Sequence, residues 1–152
     1  MYSRFASIAT ILAFIVVLLG AFTRLSDAGL GCPDWPGCYG KLVVPHTAHA
    51  MKEAQQTYPA IPLETPKAWA EMIHRYFAGT LGLFILLLAI WGTIRYLRNL
   101  NQPIITPWIL VGLVIFQAAL GMWTVTLKLL PDVVTAHLLG GMFITALLYW
   151  LS

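Results

Sequence analysis

The sequence has few charged residues, and this scarcity excludes a sizeable soluble domain. Nine Lys and Arg and six Asp and Glu make up 10% of 152 residues, whereas soluble domains carry about 25%. Hydrophobic residues make up 59% and the mean hydropathy is +0.78. The composition therefore predicts that lipid surrounds most of the chain. The basic residues are scattered and the net charge of +3 is small, so no nucleic-acid partner is expected.

Cysteine is also scarce. The two cysteines, Cys32 and Cys38, lie in one stretch rich in proline and glycine. No second ligand pair at standard spacing follows them, which argues against a zinc site. Two cysteines in one short loop that faces an oxidising compartment are typical of a disulfide. A redox-active pair, independent thiols and metal ligation remain open alternatives.

Four long apolar runs occupy most of the chain, at 5–22, 76–94, 107–127 and 133–151. A membrane-spanning helix needs about 20 mostly apolar residues. The first run is longer than the roughly 7–15-residue core of a cleaved signal peptide, so we interpret it as a span. We predict an all-α fold, a membrane four-helix bundle that forms a single transmembrane domain over residues 1–152.

Basic residues indicate the orientation of the bundle. Arg4 precedes the first run, and Arg95 and Arg98 follow the second. Positive charge in short loops marks the cytoplasmic side, so both chain ends are predicted to lie inside. The loop 23–71 is predicted to lie outside, with a short helix at 47–57. The fourth run stops at the end of the sequence without flanking Lys or Arg, which is typical of a truncated chain or of one half of a longer one.

Two histidines are predicted to lie at the same depth near the outer face. His74 just precedes the second run and His137 lies near the start of the fourth, on helices that run in the same direction. Ionisable residues in a span indicate a functional site by default. Small residues follow each histidine on its own helix face; they are Ala78, Gly82, Gly140, Gly141 and Thr145.

This pattern predicts a slot for a flat macrocycle between the two helices, with imidazole as the ligand of a heme iron. Two alternatives stay open. Small residues at these spacings also allow close helix packing around hydrogen-bonded histidines. Histidines within a bundle can also form a proton pathway.

Four further polar residues lie near the histidines. Glu71 is three residues before His74, where it either complements the helix dipole or exchanges protons beside a bound ligand. Arg24 and Arg75, at the outer ends of the first two spans, are candidates for pairing with heme propionates or for anchoring at the interface. Gln117 is predicted to face the bundle interior because lipid disfavours an amide.

Several segments resemble the heme A synthase family. Residues 20–26 (GAFTRLS) and 29–38 (GLGCPDWPGC) resemble the start of its members. Residues 71–75 (EMIHR) resemble its Glu-x-x-His-Arg signature, and residues 135–138 (TAHL) resemble its second histidine motif. The resemblance runs from end to end of the chain, and the segments around the cysteines and around Glu71 are the specific ones.

The resemblance implies an eight-span enzyme of two similar four-helix halves. Such an enzyme oxidises the C8 methyl of heme O to a formyl group, through an alcohol and a gem-diol, and so makes heme A for terminal oxidases. His74 and His137 would be the axial iron ligands on the substrate side, and Glu71 would assist by proton transfer. Cys32 and Cys38 would form a disulfide in the outer loop.

The resemblance also implies partners and a location. A second four-helix half with a heme b cofactor is absent from these 152 residues. We therefore expect this chain to need that half or a second copy of itself. Heme O synthase and cytochrome oxidase assembly components are candidate partners, and the bacterial plasma membrane is the expected location.

Two other functions compete with this interpretation. A b-type membrane cytochrome with bis-histidine ligation would need the histidine pair but not Glu71 or the cysteine loop. A quinone-linked enzyme that generates disulfides would also be a four-span bundle, but it would need a second, relaying cysteine pair. The sequence has two cysteines in all, which argues against that enzyme.

Overall fold

The computed structural model describes residues 2–98 and 103–152, and its regular elements are helices. In chain order they are α1 (Tyr2–Leu25), α2 (Ala48–Thr57), α3 (Thr65–Leu97), α4 (Ile105–Thr126) and α5 (Pro131–Leu151). All except α2 are long and apolar enough to cross a membrane. The prediction of an all-α membrane bundle is confirmed. Part of the predicted link between the second and third spans, at 99–102, lies outside the described residues.

The four long helices form a closed ring in cross-section. Helix α1 packs against α3 and α5, and α4 packs against the same two helices. Helices α3 and α5 therefore lie diagonally across the bundle. Because successive spanning helices alternate in direction, α3 and α5 run parallel, and residues near the start of each lie at the same end.

Small residues on α1 let the helices approach closely. Ala6, Ala9 and Ala13 are at most 1% exposed, and their spacings of three and four place them on one helix face. Ile85 of α3 and Leu148 of α5 are buried in the same interior. Large apolar side chains cover the outer surface instead, where a membrane supplies lipid rather than water; examples are Ile11, Phe14, Leu83 and Phe143.

The outer loop is shorter than predicted because α3 begins at Thr65 rather than near Tyr76. The helices thus extend past the approximate predicted loop boundaries of 23 and 71, since α1 also continues to Leu25. Pro66 suits the first helical turn, where its missing N–H has no partner to lose. The first turns of α3 carry polar residues, so a search for apolar runs does not detect them.

The outer loop has its own small core. Cys32, Cys38, Tyr39 and Val44 are buried there against Met72 of α3. The predicted short helix is confirmed as α2, whose N-cap Thr47 accepts the N–H of Ala50 at 3.2 Å. The loop thus packs over the N-terminal end of α3.

Candidate functional site

The structure brings the two predicted histidines together. His74 lies on α3 and His137 on α5, and their ring centroids are 6.4 Å apart across the bundle diagonal, with the ring planes at 88°. The prediction that they share one depth is confirmed.

Each histidine ring lies against a glycine of a neighbouring helix. A Cβ atom at Gly20 of α1 would lie 2.9 Å from Cε1 of His74. A Cβ atom at Gly121 of α4 would lie 3.3 Å from Cε1 of His137. These contacts are not among the predicted ones. The sequence feature that could have predicted them is a glycine on each of the other two spans, at the depth of the histidines.

The small residues that follow the histidines do not form the predicted slot. A Cβ at Gly82 would lie 3.1 Å from Val114, and a Cβ at Gly140 would lie 2.7 Å from the Gln117 amide oxygen. These glycines therefore accommodate side chains of α4, as the packing alternative held. A glycine has no side-chain carbon on its helix face, so Val114 and Gln117 of α4 pack into the space at Gly82 and Gly140.

The histidine pair nevertheless fits a shared metal ion. Metal–imidazole bonds are about 2 Å long, so rings with centroids 6.4 Å apart are within reach of one iron between them. Nδ1 of His74 and Nδ1 of His137 are both buried, and neither has a hydrogen-bond partner within the described part of the chain. Buried polar atoms normally have partners, so two buried Nδ1 atoms without one, on adjacent rings, are compatible with a site that receives a ligand.

Glu71 is almost completely buried, at 4% exposure. One carboxylate oxygen accepts the backbone N–H of Cys32 at 2.8 Å. The other forms an ion pair with Arg75, one helical turn further along α3. Glu71 therefore joins the helix that carries His74 to the cysteine loop. Its predicted part in proton transfer remains a prediction.

The side chain of Arg75 points toward the cysteine loop. Its Nη1 donates to the carbonyl oxygens of Asp34 at 2.9 Å and Pro36 at 3.3 Å, and also to that of Gly37. The predicted pairing of Arg75 with heme propionates remains a prediction, and the carbonyl groups that the side chain contacts are in the loop. The reason is that the folded loop leaves carbonyl groups that need a donor, and the guanidinium supplies it. Arg24 is exposed and lies 3.8 Å from Asp27, so its proposed propionate contact stays a prediction.

Cys32 and Cys38 form the predicted disulfide, with their Cα atoms 4.8 Å apart. The bond excludes independent thiols, and the complete burial of both residues favours a structural role over a redox-active one. The preceding Gly31 allows the loop to lie directly on α3, because a Cβ there would be 2.6 Å from the carbonyl carbon of Lys67.

Residues 2–98 and 103–152 contain no group of three or more His, Cys, Asp or Glu side chains that could hold a metal ion. His46 and His49 are exposed in the outer loop. The histidine pair and the Glu71 network beside it are therefore the candidate site.

Fold and site together define a four-helix membrane bundle with a facing histidine pair beneath a disulfide-closed outer loop. The chain matches the COX15-CtaA family, described as cytochrome oxidase assembly protein, over residues 3–152. Because the match covers nearly the whole sequence, the chain belongs to this family.

Curated relatives agree with this assignment. The chain is 53% identical over 141 residues to the heme A synthase of Shewanella oneidensis, covering 93% of this chain and 42% of that protein. It is 34% identical over 127 residues to the heme A synthase of Agrobacterium fabrum, covering 74% of this chain and 34% of that protein. It is also 31% identical over 119 residues to that of Lysinibacillus sphaericus, with coverages of 77% and 33%.

The chain thus spans less than half the length of the curated relatives it matches. No solved structure matches it.

Proposed function

We propose that this chain is the substrate-binding half of a heme A synthase, which oxidises the C8 methyl of heme O to a formyl group. The observation that carries the proposal is the His74–His137 pair, whose rings face each other at 6.4 Å across the bundle. Relatives that bear the name heme A synthase support it.

The two histidines would hold the substrate from both sides of its iron. Because they lie on diagonal helices, α1 and α4 form the remaining walls of the site. Gly20 and Gly121 fix where each ring can lie, so the iron position is set by all four helices. When bound, heme O supplies the iron and the methyl group on which the oxidation takes place.

Glu71 is the proposed proton acceptor. Oxidation of a methyl to a formyl group removes protons as well as electrons, so a nearby base is needed to accept the protons. Glu71 is on the same helix as His74, three residues closer to the outer face. Cys32 and Arg75 fix the orientation of its carboxylate. In this proposal the loop therefore serves to hold the base beside the site.

Heme binding and heme A production test the proposal separately. The whole protein, in membranes supplied with heme O, should show a low-spin, six-coordinate spectrum and yield heme A in a solvent extract. His74→Ala and His137→Ala should each convert the iron to high spin or reduce its binding, and both should abolish heme A. If the protein binds heme through both histidines and never yields heme A, it is a b-type cytochrome and the proposed activity is wrong.

We also propose that the chain lies in the bacterial plasma membrane with its N-terminus in the cytoplasm. Arg4, Arg95 and Arg98 support this orientation. A cysteine introduced by Lys52→Cys should react with an impermeant reagent from outside, whereas one introduced by Arg98→Cys should not. Labelling of the Arg98 position alone would reverse the topology.

The proposed partners follow from the proposed function. A second four-helix unit, either a C-terminal half or another copy, would supply the heme b. Heme O synthase would deliver the substrate, and cytochrome oxidase assembly components would receive the product. Co-purification of these proteins with the tagged chain from solubilised membranes is the direct measurement.

A further inference from the structure

In the side-chain amide of Gln117, on α4, the nitrogen has a hydrogen-bond partner among the described residues and the oxygen has none. Its Nε2 donates to the backbone carbonyl oxygen of His137 at 2.7 Å. Because a carbonyl oxygen only accepts, the nitrogen must be the atom that faces His137. The amide oxygen Oε1 therefore faces the other way, where it is buried and has no donor among the residues that the structure describes.

The free oxygen lies inside the bundle beside the candidate site. A Cβ at Gly140 would lie 2.7 Å from Oε1, and a Cβ at Gly141 would lie 3.3 Å from Nε2 and 3.6 Å from Val17 of α1. The amide is thus surrounded by α4, α5 and α1. Gly140 and Gly141 place it about one helical turn from His137, toward the centre of the membrane.

The chemistry of the substrate offers a matching donor, and this step rests on the proposed function. Heme O carries two propionates and, on another part of its edge, a hydroxyl group at the base of a long isoprenoid tail. The propionates favour the outer water and the tail favours hydrocarbon. The hydroxyl at the base of the tail is therefore expected on the membrane-centre side of the iron, which is the side where Gln117 lies.

We infer that Gln117 is a specificity-determining residue, whose Oε1 accepts a hydrogen bond from the side-chain hydroxyl of heme O. A hydroxyl in a dry site needs an acceptor, and the buried amide oxygen needs a donor. Heme B has a vinyl group at the same position and would leave Oε1 without a partner. A site that hydrogen-bonds a substrate hydroxyl discriminates against an analogue that lacks it.

The contribution of the hydroxyl can be measured with two iron porphyrins that lack the isoprenoid tail and differ in whether they carry hydroxyl groups. Iron hematoporphyrin carries hydroxyethyl groups where heme B carries vinyl groups, and the macrocycles are otherwise the same. Each is titrated into the whole protein in detergent, and its low-spin absorption gives a dissociation constant. The His137→Ala variant, measured in parallel, identifies the absorption that belongs to this site.

The ratio of the two dissociation constants is the quantity to compare between variants, because it cancels the different hydrophobicity of the two porphyrins. Gln117→Leu should weaken hematoporphyrin binding relative to heme B binding by about tenfold, the usual effect of one hydrogen bond. Gln117→Glu, protonated in this dry position, keeps a carbonyl oxygen and should keep most of the wild-type ratio. A ratio that is unchanged in Gln117→Leu overturns the inference, since a residue that only ties α4 to α5 would affect both porphyrins equally.

If Gln117→Leu does not fold, an infrared measurement on the wild-type protein tests the inference instead. The side-chain carbonyl of glutamine is labelled with ¹³C. Binding of iron hematoporphyrin should then shift one labelled carbonyl band to lower frequency, whereas binding of heme B should leave that band in place. Gln117→Glu lacks that band. Identical spectra with both porphyrins overturn the inference while leaving heme binding intact. Failure of the wild-type protein to give a low-spin spectrum with either porphyrin overturns the proposed function and this inference together.

Discussion

The carboxylate of Glu71 accepts the backbone N–H of Cys32 at 2.8 Å, which bonds the outer disulfide loop to the helix that carries His74. Glu71 and His74 are three residues apart and so lie on neighbouring positions of one helix face. A change in the loop therefore acts on the same turn of α3 that holds the histidine. The loop and the histidine pair form one connected site.

The contact of Gly20 with the His74 ring gives the sharpest structural prediction. Gly20→Ala would put a Cβ 2.9 Å from Cε1 of His74, so the ring or the helix must move. Overpacking of this kind costs about 1–3 kcal/mol, and we expect heme affinity to fall by about 5- to 150-fold. The measurement is a heme titration followed by the low-spin absorption band.

Gly79→Ala is the matched control for that experiment. Gly79 also lies in a spanning helix, but a Cβ there would meet nothing within 4 Å among the described residues. The Gly79 variant should bind heme as the wild-type protein does. Equal affinity in the Gly20 and Gly79 variants would show that the glycine contact does not position His74.

The disulfide is expected to stabilise the outer loop measurably. Its cysteines are six positions apart, and closing a loop of that size contributes about 2 kcal/mol to the free energy of unfolding. The double variant Cys32→Ser, Cys38→Ser should lose about that amount in a denaturant titration. Mass spectrometry of the non-reduced wild-type protein should find no free thiol, and detection of two free thiols would contradict the bridge.

The spanning helices and the histidine pair were predictable because they depend on one-dimensional patterns. Apolar runs mark helices that lipid surrounds, and the position of a histidine relative to the start of its run gives its depth. The sequence has no comparable signal for contacts between helices. Gly20 meets His74, and Gly140 meets Gln117, only because of how the four helices are arranged.

The direction of Arg75 is a second case that the sequence does not decide. An arginine at the outer end of a span is equally suited to a propionate, a lipid headgroup or a protein carbonyl. The folded conformation of the cysteine loop decides among them, because it presents the carbonyls of Asp34, Pro36 and Gly37 to this side chain. That conformation depends on the disulfide and on packing against α3, which no local pattern encodes.

Replacement of Arg75 should therefore loosen the loop without removing the iron ligands. Arg75→Gln leaves the buried Glu71 carboxylate without its cation, and the loss of one partner of a buried ion pair typically costs about 3–5 kcal/mol. Hydrogen exchange at residues 34–37 should accelerate, while the low-spin spectrum of bound heme should persist.

Lys67→Gln is the control, because it removes a half-exposed ion pair with Glu64 on the same helix. Such surface pairs contribute about 0–1 kcal/mol, so exchange in the loop should change little. If Arg75→Gln leaves loop exchange unchanged and shifts the heme spectrum instead, Arg75 contacts the ligand rather than the loop.

The final prediction separates the chemical role of Glu71 from its structural one. Glu71→Gln keeps an amide oxygen that can accept the N–H of Cys32, but it removes the basic carboxylate. Loss of general acid–base help typically lowers a rate by about 10²–10⁴-fold, so the variant should bind heme O yet make little heme A.

Arg75→Gln weakens the same network and keeps the carboxylate, so it should retain more activity than Glu71→Gln although its loop is looser. Glu64→Gln, an exposed acid at the start of α3, should retain full activity. The comparison uses the whole enzyme, with heme A quantified after extraction. Normal heme A production by Glu71→Gln would refute the catalytic role and leave Glu71 as the residue that fastens the cysteine loop to α3.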